Sequence, residues 1–194
     1  MMSAYISDPF SHAKWLNTLS FLENSGARKI ARNEDPQTVS KQMLKHAAEE
    51  FRHAFYLKSQ ITSKLGIFLP SYRFHDIWGG LQTLRYLDRL EAMACRLVKA
   101  EQAVYFLVTF AIELRAFEIY PIYQDLLSQM KSCVSVRSIL LEEKGHLEEM
   151  REQIASLSLK EETTDAVCHF EGMLCQNWLE KLESEHSCIS GSNR

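Results

Sequence analysis

Glu50-Phe51-Arg52-His53 and Glu143-Lys144-Gly145-His146 are two copies of one pattern, in which a carboxylate precedes an imidazole by three residues. On an α-helix this spacing is about one turn, so the carboxylate and the imidazole leave the same face and can bind one metal ion. Each pair falls on an apolar stripe of its helix, with Ala47 and Leu57 around the first and Ile139 and Leu147 around the second. The two copies therefore predict two helices that contribute to one buried metal centre.

The rest of the chain is predicted to be helical as well, because only 7 Gly and 4 Pro interrupt it. We expect five helices. The first runs from the Ser7-Asp8-Pro9-Phe10 cap to about Ala31, and the second from Pro36 to about Leu65. The third runs from about Leu84 to Tyr120, with a break near its start as an alternative, and is ended or kinked by Pro121. The fourth runs from between Ile122 and Val134 to about Ser156, and the fifth from about Glu161 to Leu182. The fold class is all-α, a four-helix bundle with a long crossover at 66–83 and an additional C-terminal helix. Residues 1–186 are predicted to form a single domain, and residues 187–194 a disordered tail.

Two further acids complete a set of ligands for two metal ions. Glu23 lies on the inward stripe of the first helix, and Glu113 lies in the most apolar part of the third. A buried carboxylate without a partner is unfavourable, so acids on four apolar helix faces indicate bound cations. We expect Glu50 and Glu143 to bridge the ions, with Glu23 and His53 completing one and Glu113 and His146 the other. Glu101 and Glu118 are the alternatives to Glu113 on its helix.

Other polar residues near these positions are interpreted as supporting or exposed groups. His46, one turn before Glu50, is expected to support a ligand or to lie at the surface. Arg115 is expected either to neutralise a carboxylate of the site or to form a surface ion pair, and Tyr120 to serve mainly in packing. Glu49 is expected to face solvent, and Glu142 to lie outward or to the side of its helix. The alternative for the pattern itself is a purely structural role, since a single Glu-x-x-His is more often a capping or salt-bridge pair at a helix surface.

The composition limits the class of protein. The net charge is −3, from 22 Lys and Arg against 25 Asp and Glu, which gives no general attraction to nucleic acid, although a local basic patch remains open. The most apolar stretch, residues 103–112, is about half the length that spans a bilayer. The start of the chain shows no export signal, and the five cysteines have no zinc or redox spacing, so we expect a cytoplasmic protein with reduced thiols.

Three stretches of the chain resemble a known family: Ala48-Glu49-Glu50-Phe51-Arg52-His53, Ile112-Glu113-Leu114-Arg115-Ala116-Phe117-Glu118 and Leu140-Leu141-Glu142-Glu143-Lys144-Gly145-His146. Residues 21–150 resemble the ferritin-like di-iron carboxylate superfamily, and these stretches look most like its tRNA-modifying monooxygenases, which hydroxylate an isopentenyl-adenosine. The resemblance implies a ferritin-like four-helix bundle and metal ligands at Glu50, His53, Glu113, Glu143 and His146.

The expected function is that of a di-iron or iron/manganese oxidoreductase, which activates dioxygen to hydroxylate or oxidise an organic substrate. A modified tRNA base is one candidate for that substrate, and an electron donor is required. Peroxide reduction or iron handling, as in rubrerythrins and ferritins, is the alternative within the superfamily. A metal-free helical interaction protein is the alternative outside it. The sequence leaves the oligomeric state open, a homodimer included.

Overall fold

The computed structural model describes residues 2–33, 37–38, 40–157 and 159–191, with side chains as far as residue 186. Within these ranges the chain is helical and has no β-strand, which confirms the predicted all-α class. The helices are α1 (Met2–Ser7), α2 (Pro9–Arg32), α3 (Lys41–Leu65), α4 (Gly80–Leu97), α5 (Glu101–Gln129), α6 (Arg137–Ser156) and α7 (Glu161–Gly191). None of the helices in the described ranges is both long enough and apolar enough to cross a membrane.

Four of these helices form two packed pairs. Helix α2 packs along α3, and α5 packs along α6. The connection from α3 to α5 is long, as expected, but it contains a helix of its own, α4. Helix α7 covers α4 and α5 and supplies Leu174, Trp178 and Leu182 to the main hydrophobic core.

The start of α2 agrees with its sequence signals. Asp8 is the N-cap and accepts a hydrogen bond from the backbone N–H of Ser11 at 2.8 Å, and Pro9 occupies the first turn. Helix α3 instead begins at Lys41, with Ser40 as its N-cap. Pro36, where the sequence suggested this start, lies outside the described residues.

The connection before α4 is held against α2 by hydrogen bonds. The amide of Asn17 donates to the backbone oxygens of Ser71 and Asp76, and Thr18 Oγ1 accepts from the backbone of Trp78 at 2.8 Å. Gly79 then turns the chain into α4 with a φ of 78°. A Cβ at this position would also lie 2.5 Å from Trp178 Nε1, so both the backbone conformation and the packing require glycine.

The third predicted helix is two helices in the structure. The break lies in its middle, where Val98 is extended, and not near its start, and it separates α4 from α5. Of the two effects expected of Pro121, an end of the helix is wrong, because α5 continues to Gln129. Tyr123 and Leu127, beyond the proline, are almost completely buried, and their packing outweighs the roughly 3 kcal/mol that an interior proline costs.

The last helix is longer than predicted. Helix α7 continues to Gly191, whereas the sequence suggested an end near Leu182 and a disordered tail from residue 187. Residues 192–194 of that tail lie outside the described residues.

Candidate metal centre

The six side chains predicted as metal ligands lie together between the two helix pairs, and none is more than 9% exposed. They are Glu23 on α2, Glu50 and His53 on α3, Glu113 on α5, and Glu143 and His146 on α6. The one-turn spacing therefore places each carboxylate and its imidazole on the buried face of its helix.

These side chains form two overlapping groups, and in each group the candidate ligand atoms lie within 4.8 Å of one another. Members of the first group are Glu23, Glu50, His53 and Glu143; members of the second are His46, Glu50, Glu113 and His146. Glu50 belongs to both groups. Glu143 also reaches both sides, because its Oε1 lies 3.1 Å from His53 Nδ1 and its Oε2 lies 3.8 Å from His146 Nδ1. The two groups could each hold a metal ion.

Several polar atoms that face the middle of this cluster are buried and form no well-aligned hydrogen bond, although they lie within ion-pair distance of one another. They are Nδ1 of His53 and of His146, and Oε1 of Glu50 and of Glu143. A buried carboxylate or imidazole that lacks a partner is costly, and such atoms concentrated at one point need a common compensation. Carboxylate oxygens and imidazole nitrogens are the donors that iron and manganese bind, so the residues present fit these ions.

The protonation of the cluster shows how strongly its charges interact. Burial and the carboxylate of Glu50 raise the pKa of Glu23 to about 8. Burial and the carboxylates of Glu143 and Glu50 hold the pKa of Glu113 well above its ordinary value. Burial opposes the charged imidazole of His53, but the carboxylates of Glu143 and Glu23 raise its pKa to about 10.

The remaining members of the cluster complete this pattern. Burial likewise opposes the charged form of His146, but Glu143 and Glu50 raise its pKa to about 11. Burial alone would raise the pKa of Glu50, but His146 and His46 hold it below the ordinary value. These shifts favour protonated imidazoles, whose positive charge balances that of the ionised carboxylates, and neutral Glu23 and Glu113 when no metal is bound.

Each candidate ligand imidazole contacts a carboxylate of the opposite helix through its Nε2. The Nε2 of His53 lies 2.9 Å from Glu142 Oε2, and the Nε2 of His146 lies 2.9 Å from Glu49 Oε2. Such a carboxylate fixes the imidazole so that its other nitrogen, here Nδ1, points to the metal position. Glu49 was expected to face solvent, and this was wrong, whereas Glu142 lies to the side of α6, which is one of the two positions expected for it. Both are partly buried, because they lie at the α3–α6 contact beside the histidines.

His46 also lies inside the site and not at the surface. It is 1% exposed, its Nε2 is 2.9 Å from Glu113 Oε1, and its ring centroid is 4.2 Å from that of His146. The position follows from the helix, because His46 and Glu50 are one turn apart on the same face.

The hydroxyl of Tyr120 donates a hydrogen bond to Glu23, so this tyrosine positions a site carboxylate in addition to packing. Arg115, in contrast, does not touch the site carboxylates. Its guanidinium pairs with the buried Glu171 of α7 at 2.8 Å and with Glu118. Glu118 and Glu101 are exposed, whereas Glu113 is 4% exposed and belongs to the cluster.

An apolar space adjoins the carboxylates on the side of α2, α4 and α5. It consists of two adjoining cavities of about 90 and 50 Å³, both bordered by Gly26, Glu50 and Glu113. Most of the remaining lining of the larger cavity is apolar, including Leu19, Leu22, Ile112, Ala116 and Ile119. A small apolar group in this space would lie directly beside the candidate ligands.

Comparisons of the chain with protein-family models, with curated proteins and with solved structures found no match.

Glu49 and Glu142 share a sequence pattern that marks both positions. In both copies the ligand Glu is preceded by a second Glu, so the full pattern is Glu-Glu-x-x-His at 49–53 and again at 142–146. A residue next to a ligand points about 100° away from it on a helix, which is toward the neighbouring helix and not necessarily toward solvent. The repetition of the doublet indicated a shared role for Glu49 and Glu142.

Proposed function

We propose that this protein is a ferritin-like dimetal oxidoreductase, in which iron, or iron with manganese, activates dioxygen to oxidise an organic substrate. The observation that carries the proposal is the convergence of buried Nδ1 and Oε1 atoms, none with a well-aligned hydrogen bond, at the centre of two overlapping ligand groups. Glu50 and Glu143 would bridge, with Glu23 and His53 on one side and Glu113 and His146 on the other. Two reduced ions bound there would supply two electrons to dioxygen.

The protein's own residues set the conditions for this chemistry. Glu142 and Glu49 orient the imidazoles of His53 and His146 and favour their metal-binding form. Tyr120 holds Glu23 by a hydrogen bond from a fully buried position. The apolar cavity beside Glu50 and Glu113 limits the access of water to the reacting groups and receives the substrate.

The apolar cavity also favours oxidation of an organic group over storage of iron or reduction of peroxide. Storage and peroxide reduction need only ions and small polar molecules at the carboxylates, for which a wall of Leu19, Leu22, Ile112 and Ile119 has no evident use. The space suits an apolar group of a few carbon atoms. The isopentenyl group of a modified tRNA adenosine, which the resemblance implies, is of this kind.

The chemistry is tested by loading the protein with Fe(II) without oxygen and then adding dioxygen. The proposal expects rapid uptake of about one dioxygen per protein chain, because two Fe(II) ions supply two electrons. The Glu50→Ala,Glu143→Ala variant should react no faster than Fe(II) in buffer. Equal rates of dioxygen uptake by the wild type and this variant would contradict the proposed function.

A further inference from the structure

We propose that His46 is a third imidazole ligand of the dimetal centre, which makes the two metal positions chemically unequal. This inference rests on the proposed function, because it adds a ligand to the same centre. One position would have His46 and His146 with Glu50 and Glu113. The other would have a single imidazole, His53.

The geometry of His46 is that of a ligand. Its Nε2 lies 2.9 Å from Glu113 Oε1 and 3.6 Å from Glu50 Oε1, so this nitrogen faces two carboxylates of the second group. All four members of that group have ligand atoms within 4.8 Å of one another. Its imidazole is 1% exposed, and its second nitrogen, Nδ1, has no partner in the protein.

The imidazoles of His46 and His146 face the same carboxylate. Their ring centroids are 4.2 Å apart, and His46 Nε2 and His146 Nδ1 lie 3.6 and 3.4 Å from Glu50 Oε1. A cation bound among these atoms would use a nitrogen of each ring together with the carboxylates.

The inequality has a consequence for metal choice. Imidazole nitrogen favours iron more strongly than manganese, whereas carboxylate oxygen suits manganese well. The position beside His46 should therefore fill with iron first.

The competing role is that His46 only positions Glu113 through their hydrogen bond. The variant His46→Gln separates the two roles, because a glutamine amide can donate to Glu113 but is a weak metal ligand. His12→Gln is the matched control. His12 is equally buried but contacts Tyr123 and belongs to neither ligand group.

The experiment is an anaerobic titration with ⁵⁷Fe(II), followed by Mössbauer spectroscopy after the first and the second equivalent. In the wild type and in His12→Gln, the first equivalent should give one dominant quadrupole doublet and the second equivalent another. In His46→Gln, this filling order should disappear, and one of the two positions should lose about tenfold or more in iron affinity. A His46→Gln protein that keeps the wild-type filling order and affinity overturns the inference.

A measurement on the unmutated protein guards against misfolding of the variant. Pulsed EPR of the one-electron-oxidised di-iron protein, labelled with ¹⁵N-histidine, counts the imidazoles bound to the metals. Three support the inference, and two overturn it while leaving the proposed function intact. Wild-type protein that binds no iron overturns both.

Discussion

The Nε2 of His53 and the Oε2 of Glu142 lie 2.9 Å apart across the α3–α6 contact, and His146 and Glu49 repeat this relationship in the opposite direction. Each helix thus supplies one candidate ligand histidine and the carboxylate that contacts the histidine of the other helix. The two Glu-Glu-x-x-His segments form a reciprocal pair, and Glu50 and Glu143 face the centre between them.

We expect Glu142→Gln and Glu49→Gln each to weaken iron binding by about 10- to 100-fold, because each ligand imidazole would lose the carboxylate that orients it. The measurement is a competitive titration of Fe(II) against a chelator of known affinity. Glu148→Gln, an exposed change on α6, is the control and should bind as the wild type does. If Glu142→Gln matched that control, the reciprocal pairing would have no role in metal binding.

Glu113→Gln should make the metal-free protein more stable while it weakens metal binding. Burial and the neighbouring carboxylates make the ionised form of Glu113 unfavourable, and an amide of the same shape removes that cost. We expect the free energy of unfolding, measured with urea in the presence of a chelator, to rise by about 1 kcal/mol or more. Glu148→Gln, at an exposed position in the interior of α6, is the control and should change neither quantity. A destabilised Glu113→Gln protein would mean that this carboxylate is a structural partner.

The stability of the metal-free protein should fall as the pH rises from about 6.5 to 10. The pKa of His53 is about 10 when folded against an ordinary 6.5, so its contribution is fully present below pH 6.5 and is lost as the pH approaches 10. The pKa of Glu23 is raised to about 8, and its proton is lost from the folded state in the same direction. Both shifts mean that the folded chain binds more protons than the unfolded chain.

Metal loading should reverse this pH dependence, because ions displace the protons and bind more tightly as the ligands deprotonate. Thermal unfolding at pH 7 and pH 9, with chelator and with Fe(II) under nitrogen, tests both parts. The melting temperature should fall with pH in the first series and rise in the second. If the melting temperature falls with rising pH in both series, the metal does not bind at these groups.

Ala116→Leu should block the apolar cavity without changing the ligands. Ala116 lines the larger cavity on the same side of α5 as Ile112 and Ile119, and the added atoms would occupy much of about 90 Å³. We expect iron content to stay at the wild-type level, while binding of a small apolar probe such as xenon, measured by ¹²⁹Xe NMR, falls severalfold. Ala92→Leu on the exposed face of α4 is the control. If xenon binding were unchanged in Ala116→Leu, xenon would bind at a site other than this cavity.

The sequence predicted the all-α class and the convergence of Glu23, Glu50, Glu113 and Glu143, because buried acids on apolar stripes are strongly constrained by the cost of burying charge. It did not predict the break at Val98, which no glycine or proline marks. It also missed the role of Glu142, since a residue at the edge of a helix stripe can face either solvent or a neighbouring helix. Only the packing of α3 against α6 decides between these.

The most direct test of the central claim is the number of metal ions per chain. Protein loaded anaerobically with iron and manganese, and then freed of loosely bound ions by gel filtration, would be measured by elemental analysis beside Glu50→Ala,Glu143→Ala. The dimetal centre predicts about two ions per wild-type chain and close to none in the double variant. Wild-type protein without stoichiometric metal, or a double variant that retains the full amount, would contradict it.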